Sequence, residues 1–329
     1  MKRRELITLI GSAAATWPVI AHAQQPAMRV IGYLGTGTLE TTHYLTDFRG
    51  GLSETGYVEG RNLAIEYRWA EHRLDRMPAL AADLVDRQVA LIIAPSTAAA
   101  LAAKAQTHSI PIVFQVGNDP VKTGLVASLN RPDGNLTGIL NLYVEVAAKR
   151  LELLHEVVPA ALSVALLTNL TNPMFAEPEA SALQAAARVL GLRLLILSAS
   201  DPSEFEEAFA ALSRAGAGAL LIGGETVFFS HPDQVVALAA RYKMPTLYPS
   251  RAHTEAGGLM SYGTRFSEVS HQLGVYAGRI LMGEKPADLP VQLVTKMDLV
   301  INMKTAQALG LTIPLPLLGR ADEVIERTD

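Results

Sequence analysis

The chain has no cysteine among its 329 residues. Disulfide bridges, thiolate metal sites and thiol redox chemistry are therefore excluded, and a chain of this size must rest on buried apolar cores. Charge is also sparse: 18% of the residues are charged and the formal net charge is −4. That balance gives no electrostatic case for a nucleic-acid partner or an anionic membrane surface. Catalytic signatures are missing too. There is no G-x-S-x-G and no H-E-x-x-H, and the eight histidines are scattered without ligand spacing. Past the N-terminal segment no apolar run reaches the ~20 residues needed to span a bilayer. With 49% apolar residues, the remainder reads as a soluble, packed protein.

What is present begins with MKRRELITLIGSAAATWPVIAHAQQ. Lys2, Arg3 and Arg4 give a positive start, Leu6 to Ile20 is an apolar stretch, and Ala21-His22-Ala23 is a small-x-small site before Gln24. Residues 1–23 are therefore expected to be an export signal, since the apolar stretch is too short for a membrane anchor. A protein that works in the periplasm has no cytosolic NAD, ATP or DNA within reach. The Arg3-Arg4 pair leaves Sec and twin-arginine export both open.

From Arg29 onward, short β-branched runs alternate with longer Ala/Leu-rich amphipathic runs. That alternation predicts βαβ units and parallel sheets. In the first half, strands are expected over 30–34, 63–69, 90–94, 111–116 and 136–142, with helices over 42–55, 74–87, 97–107, 122–129 and 144–157. A second series of the same grammar has strands over 164–168, 193–197, 219–222 and 245–248, with helices over 179–190, 202–215 and 232–242. The tail adds strands over 259–262 and 298–302, a helix over 267–282 and a short helix before Gly310. The fold class is thus α/β, with two similar doubly wound parallel-sheet lobes joined by a multi-strand hinge. The first lobe is drawn over 27–142 plus 263–291, and the second over 143–262 plus 292–329. Ligands of such sheets bind at the carboxyl ends of the strands, in the cleft between the lobes.

Several blocks carry a likeness. Phe48-Arg49-Gly50-Gly51-Leu52, Gly56-Tyr57-Val58-Glu59-Gly60-Arg61-Asn62 and Ile65 to Ala70 come first. Ile110 to Phe114, Asp119-Pro120-Val121 and Gly124 to Leu129 follow, and Gly257 to Gly263 and Lys304 to Pro314 close the series. In these blocks the chain resembles the ABC transporter substrate-binding protein family that includes tryptophan- and tyrosine-binding members. The resemblance implies a bilobal periplasmic binding protein of type I with three hinge crossings. It also implies that a small solute is delivered to an inner-membrane ABC permease with its ATPase, without turnover and without a cofactor, by a monomer. It favours an aromatic or branched amino acid, although the loops at the cleft hold few aromatic residues, so another small carboxylate or amide stays open.

In such a cleft the candidate contacts are the polar residues just after each strand. Thr36 and Thr38, in Gly35-Thr36-Gly37-Thr38, can meet a carboxylate or merely form a turn. Ser96 and Thr97 open a helix, where Ser96 is also a natural N-cap. Asn118 and Asp119 can bind the ends of an amino acid; the plain alternative for Asp119 is an Asx-turn before Pro120. The second lobe offers Asn169, Asn172, Glu225, Thr226, Tyr248 and Arg251. Arg251 can clamp a carboxylate or form a surface ion pair, Tyr248 and Phe228 can stack on an aromatic solute, and Phe228 can equally fill the core. Two other uses stay open at this point: an exported cofactor-dependent enzyme, and a sensory binding protein that docks on a chemoreceptor or kinase.

Overall fold

The computed structural model describes residues 28–40 and 44–326; the expected export signal, 1–23, lies outside the described residues. The first half alternates β1 (Arg29–Gly35), α1 (Leu45–Glu54), β2 (Leu63–Trp69), α2 (Met77–Asp86), β3 (Ile92–Ala94), α3 (Thr97–Gln106), β4 (Ile112–Val116) and β5 (Leu136–Asn141). The chain continues with α4 (Ala147–Val157), β6 (Ser163–Thr168), α5 (Pro173–Leu190), β7 (Arg193–Ser198), α6 (Phe205–Arg214), β8 (Ala219–Ile222), α7 (Thr226–Phe229), α8 (Pro232–Arg241), β9 (Thr246–Tyr248), α9 (Arg251–Glu255) and β10 (Met260–Gly263). It ends with α10 (Phe266–Leu281), β11 (Gln292–Val294), β12 (Asp298–Asn302), α11 (Met303–Ala308), α12 (Leu315–Leu318) and β13 (Glu323–Ile325).

These strands form two sheets. One has the order β11-β5-β4-β3-β1-β2 and is wholly parallel. The other has the order β13-β12-β10-β9-β8-β6-β7 and is parallel except for the β10–β12 pair. Each sheet is covered by helices on both faces, which is why β8 is an uninterrupted apolar run and why β4 and β5, apolar apart from Gln115, Thr137, Gly138 and Asn141, are buried throughout. In the first lobe Phe48, Ile93 and Leu273 pack on one face, with Leu84, Ala100 and Phe114 on the other. In the second, Leu151, Leu166 and Leu183 oppose Phe205, Leu220 and Val235. Each large side chain buried in this way contributes about 1.5–3 kcal/mol.

Helix α10 comes late in the sequence yet belongs to the first lobe. Its Gly274 lies against the Phe48 carbonyl of α1, and Gly51 of α1 lies against the His271 carbonyl of α10. A Cβ at either glycine would collide with that backbone, so the close approach of the two helices requires glycine at both places. The chain passes between lobes after β5, after β10 and after β11. The sequence places the third passage at 291–292, but Gln292–Val294 pairs in register with Ile139–Asn141 of the first sheet. The passage therefore falls at 295–297.

Other expectations shift for local reasons. The helix expected over 122–129 is absent. Asp119 Oδ1 accepts from Val121 N at 2.9 Å, and Gly124 takes a left-handed φ of 72° that stops a helix. Helix α5 starts at Pro173, six residues before the expected Glu179, and carries Pro178 inside it. The short α7, α9, α12, β11 and β13 were not expected, because three to five residues are too few to show a period. None of the described helices is long and apolar enough to cross a membrane.

Candidate functional site

In each sheet the strand order reverses at one place, between β1 and β3 in the first and between β6 and β8 in the second. The loops after these four strands face one another across the cleft, as expected at topological switch points. From the first lobe, Thr36 follows β1 and Ser96-Thr97 follow β3. Ser96 Oγ accepts from Ala99 N at 3.1 Å and caps α3. Thr97 Oγ1 donates to Asn118 Oδ1 at 2.7 Å in a buried contact. From the second lobe, Asn169 and Asn172 follow β6, and Glu225 and Thr226 follow β8. The two sides touch: Thr36 Oγ1 donates to Thr226 Oγ1 at 3.0 Å, and Asn118 Nδ2 donates to the Met174 carbonyl at 2.9 Å.

Glu225 is the one carboxylate lining this space among the described residues, and it is 5% exposed. Asn172 Nδ2 donates to its two oxygens at 3.1 and 3.4 Å. Burial pushes the Glu225 carboxyl up to about 8; the Asn172 hydrogen bond opposes the rise and the charge of Glu179 adds to it. Glu179 sits behind, fully enclosed, 3.4 Å from Arg150. Burial raises its carboxyl as well, against the pull of Arg150. Arg150 in turn donates to the Tyr143 carbonyl at 2.7 Å.

Three adjoining cavities of about 470, 330 and 590 Å³ divide the cleft. The first is bounded by Ser96, Thr97, Asn141, Tyr143, Asn172, Phe175 and Glu225, and the second by Thr36, His72, Asn169, Asn172 and Glu225. The third is walled by Tyr33, Tyr44, Trp69, Phe229 and Phe266, with Thr36, Gln115 and Thr226 among its polar members. Phe266 is the centre of the aromatic group. Its ring centroid is 4.6 Å from Phe229, 5.2 Å from Tyr44 and 5.8 Å from Tyr143. Gly117 and Gly224, from opposite lobes, let the rings of Tyr143 and Phe175 lie flush with the backbone; a Cβ there would come within 2.8 and 2.9 Å of Phe175. No lysine or arginine lines the three cavities among the described residues.

Of the residues singled out in the sequence, Thr36, Ser96, Thr97, Asn169, Asn172, Glu225 and Thr226 come together here. Asn169 also closes its own loop, accepting from Thr171 N at 3.0 Å and from its hydroxyl at 2.7 Å. Asn118 stands at the edge and bridges the lobes. The others lie elsewhere. Thr38 is half-buried further along its loop and lines none of the three cavities. Asp119 serves its own turn. Tyr248 is 1% exposed in the second-lobe core, stacked on His253 at 5.0 Å. Arg251 pairs with Glu255 and Glu323, both at 2.6 Å, at the surface. Phe228 is a core residue packed on Phe205, while its neighbour Phe229 meets the cleft.

The aromatic wall is not legible in the sequence. Trp69 and Tyr33 sit inside ordinary strands, whereas Tyr143 and Phe266 lie on or beside the hinge crossings, where no strand-end rule applies. The adjacent pair Phe228-Phe229 on a short helix was the usable signal, since one ring must face away from the core.

Two doubly wound parallel-sheet lobes that meet over an aromatic and polar cleft define a solute-binding protein of the type I periplasmic binding fold. The family model described as ABC transporter substrate binding protein matches residues 41–325, and the chain belongs to that family. Its members bind substrates and are not enzymes. A curated relative, the tyrosine-binding protein of Clostridioides difficile (strain R20291), is 27% identical over 264 residues, covering 80% of this chain and 75% of the relative. Among solved structures, the ABC domain from Streptococcus pneumoniae in complex with L-Trp superposes with a TM-score of 0.81 at 24% identity, over 91% of this chain and 100% of that one. The ligand-free, open structure of a substrate binding protein with adhesive properties from Clostridium difficile gives 0.61 at the same 24% identity and the same coverage. The lobes here touch across the cleft through the Thr36–Thr226 and Asn118–Met174 hydrogen bonds, a closed arrangement.

Proposed function

We propose that this protein is the solute-binding component of an ABC importer, which takes an aromatic amino acid into the inter-lobe cleft and hands it to an inner-membrane permease and its ATPase. The observation that carries the reading is one cleft holding both an aromatic wall and a polar end made of a helix start and a buried carboxyl. An amino acid has the matching parts. The first-turn amides of α3, beside Ser96 and Thr97, take the carboxylate without needing a basic side chain. Glu225, held by Asn172, takes the ammonium group. Phe229, Phe266, Tyr44 and Trp69 cover the ring. Thr36, Thr226 and Asn169 complete the closed pocket; Thr38, Asn118, Asp119, Tyr248 and Arg251 do not touch the solute.

The tyrosine-binding relative and the L-Trp complex support the aromatic assignment. Residues 1–23 are taken as an export leader, and the protein as a periplasmic monomer that uses no cofactor. The lobes are drawn over 27–142 plus 263–294 and over 143–262 plus 298–329, with the last crossing at 295–297. A thermal-shift and calorimetric screen over the amino acids and simple organic acids tests the reading. A rise in melting temperature is expected with L-tryptophan or L-tyrosine, equivalent to about 2.7 kcal/mol at a hundredfold excess over Kd. No response to any amino acid at millimolar concentration would overturn it.

A further inference from the structure

Two histidines meet at the rim of the cleft. His72 belongs to the loop after β2 in the first lobe, and His231 immediately precedes α8 in the second. Their ring centroids are 5.3 Å apart with the planes tilted by 53°. The first-lobe loop is built to present its histidine. Glu71 and His72 both adopt left-handed backbone, with φ of 54° and 63°, a conformation that side chains other than glycine rarely take and that tends to mark functional places. Backbone bonds hold that turn: Glu71 N donates to Gly37 O at 3.1 Å and His72 N to Thr36 O at 2.7 Å. His72 Nε2 is buried without a hydrogen-bond partner. His231 Nδ1 is 3.0 Å from the Val227 carbonyl, which leaves its other nitrogen on the far side of the ring.

We propose that the contact of His72 with His231 is a pH-sensitive latch between the lobes, which favours the closed arrangement while the His72 ring is neutral and releases it as that ring takes up a proton. The inference rests on the closed arrangement and not on any choice of solute. Opening the cleft separates the rings and returns both to water. Burial, then the positive charge of His231, lowers the His72 value in the closed form, and Asp201 opposes this. The other charged groups facing the pair are Asp201 beside α6 and Glu225 in the shared cavity. A closed form that holds fewer protons than the open one loses population as pH falls through the ordinary histidine range near 6.5. Glu225, whose buried carboxyl takes up a proton on closing, pulls the other way over the same range, so the latch is read in a chain carrying Glu225→Gln.

The chain has no cysteine, so spin labels attached through Arg61→Cys and Gln184→Cys, one exposed position on each lobe, report the inter-lobe distance without interference. Electron–electron resonance on the full chain, without added solute, is compared at pH 5.0 and pH 7.0, with circular dichroism confirming that the fold is kept. The closed-to-open ratio is expected to fall severalfold at the lower pH, to lose this dependence in His72→Gln, and to keep a reduced one in His231→Gln, since burial acts on His72 before the charge of His231 does. An equal ratio at the two pH values, or the same fall in His72→Gln, would overturn the latch. A parallel series with L-tryptophan on the labelled chain that keeps Glu225 separates the two readings: if it moves the distance distribution at neither pH, the amino-acid assignment fails, and the latch is judged on the solute-free series alone.

Discussion

Asn118 of the first lobe donates from Nδ2 to the carbonyl of Met174 in the second at 2.9 Å. That carbonyl is four residues before Pro178, which has no N–H to return to it, so the α5 ladder skips this bond and the acceptor is open to the other lobe. Thr97 fixes the opposite end of the same amide. One asparagine thereby couples the start of α3, beside the polar end of the cleft, to a fault in the helix across from it. Asn118→Ala should weaken L-tryptophan binding about five- to thirtyfold, the equivalent of about 1–2 kcal/mol for a buried hydrogen-bonding group lost and its partner orphaned. Calorimetric titration measures the affinity, and thermal unfolding without solute should change much less, because the bond to Met174 exists only between closed lobes. A fall in unfolding temperature with unchanged affinity would place Asn118 among loop-stabilising residues instead.

The neighbours Phe228 and Phe229 should separate stability from recognition. Phe228 is fully buried against Phe205, and Phe228→Ala should cost about 3–5 kcal/mol in denaturant unfolding. Phe229 is half-buried and stands 4.6 Å from Phe266. Phe229→Ala should leave unfolding within about 1 kcal/mol and weaken L-tryptophan by tenfold or more, since aromatic packing adds to the area buried. If both substitutions act on stability alone, the aromatic wall does not hold the solute.

This pair also marks how far the sequence could be read. Strands β2, β8 and β12 fall on the expected residues, because short apolar or alternating runs between turn signals are local facts. The polar loops after β1, β3, β6 and β8 follow from the strands, so the residues they bring to the cleft could be named in advance. Tyr143, Phe266 and Trp69 could not. Each is locally ordinary, and only the way α10 packs on α1 through Gly51 and Gly274, with the crossings it implies, gathers them at one place. Gln292–Val294 was missed for a related reason: three residues become a strand only because β5 offers a free edge.

Glu225 makes a pH prediction of definite sign. Its carboxyl, raised to about 8 in the closed, empty cleft, holds a proton at neutral pH that it lacks when solvated. That contribution to the closed form is complete below the ordinary glutamate range near 4.3 and is lost as pH rises through about 8. An ammonium group placed beside it reverses the shift. Binding L-tryptophan at pH 7 should therefore release close to one proton, seen as a dependence of the calorimetric heat on the buffer's ionisation enthalpy. Glu225→Gln should abolish the release and weaken binding. Release that persists in this variant would assign the proton to another group.

Behind Glu225, the Arg150–Glu179 pair joins α4 to α5 with both side chains almost wholly enclosed. Arg150→Met would strand the Glu179 carboxylate and should cost about 3–5 kcal/mol, whereas Arg150→Met with Glu179→Gln should recover much of that loss, because two neutral groups need no counter-charge. Urea unfolding of the single and double variants measures the difference. The pair also sets the cleft's chemistry, since the charge of Glu179 helps to raise Glu225. Glu179→Gln alone removes that repulsion and leaves Arg150 uncompensated nearby, and both changes favour an ionised Glu225. Proton release on L-tryptophan binding at pH 7 should then fall well below one. Unchanged release in Glu179→Gln would mean that burial alone holds the Glu225 proton and that the buried pair serves only the packing of α4 on α5.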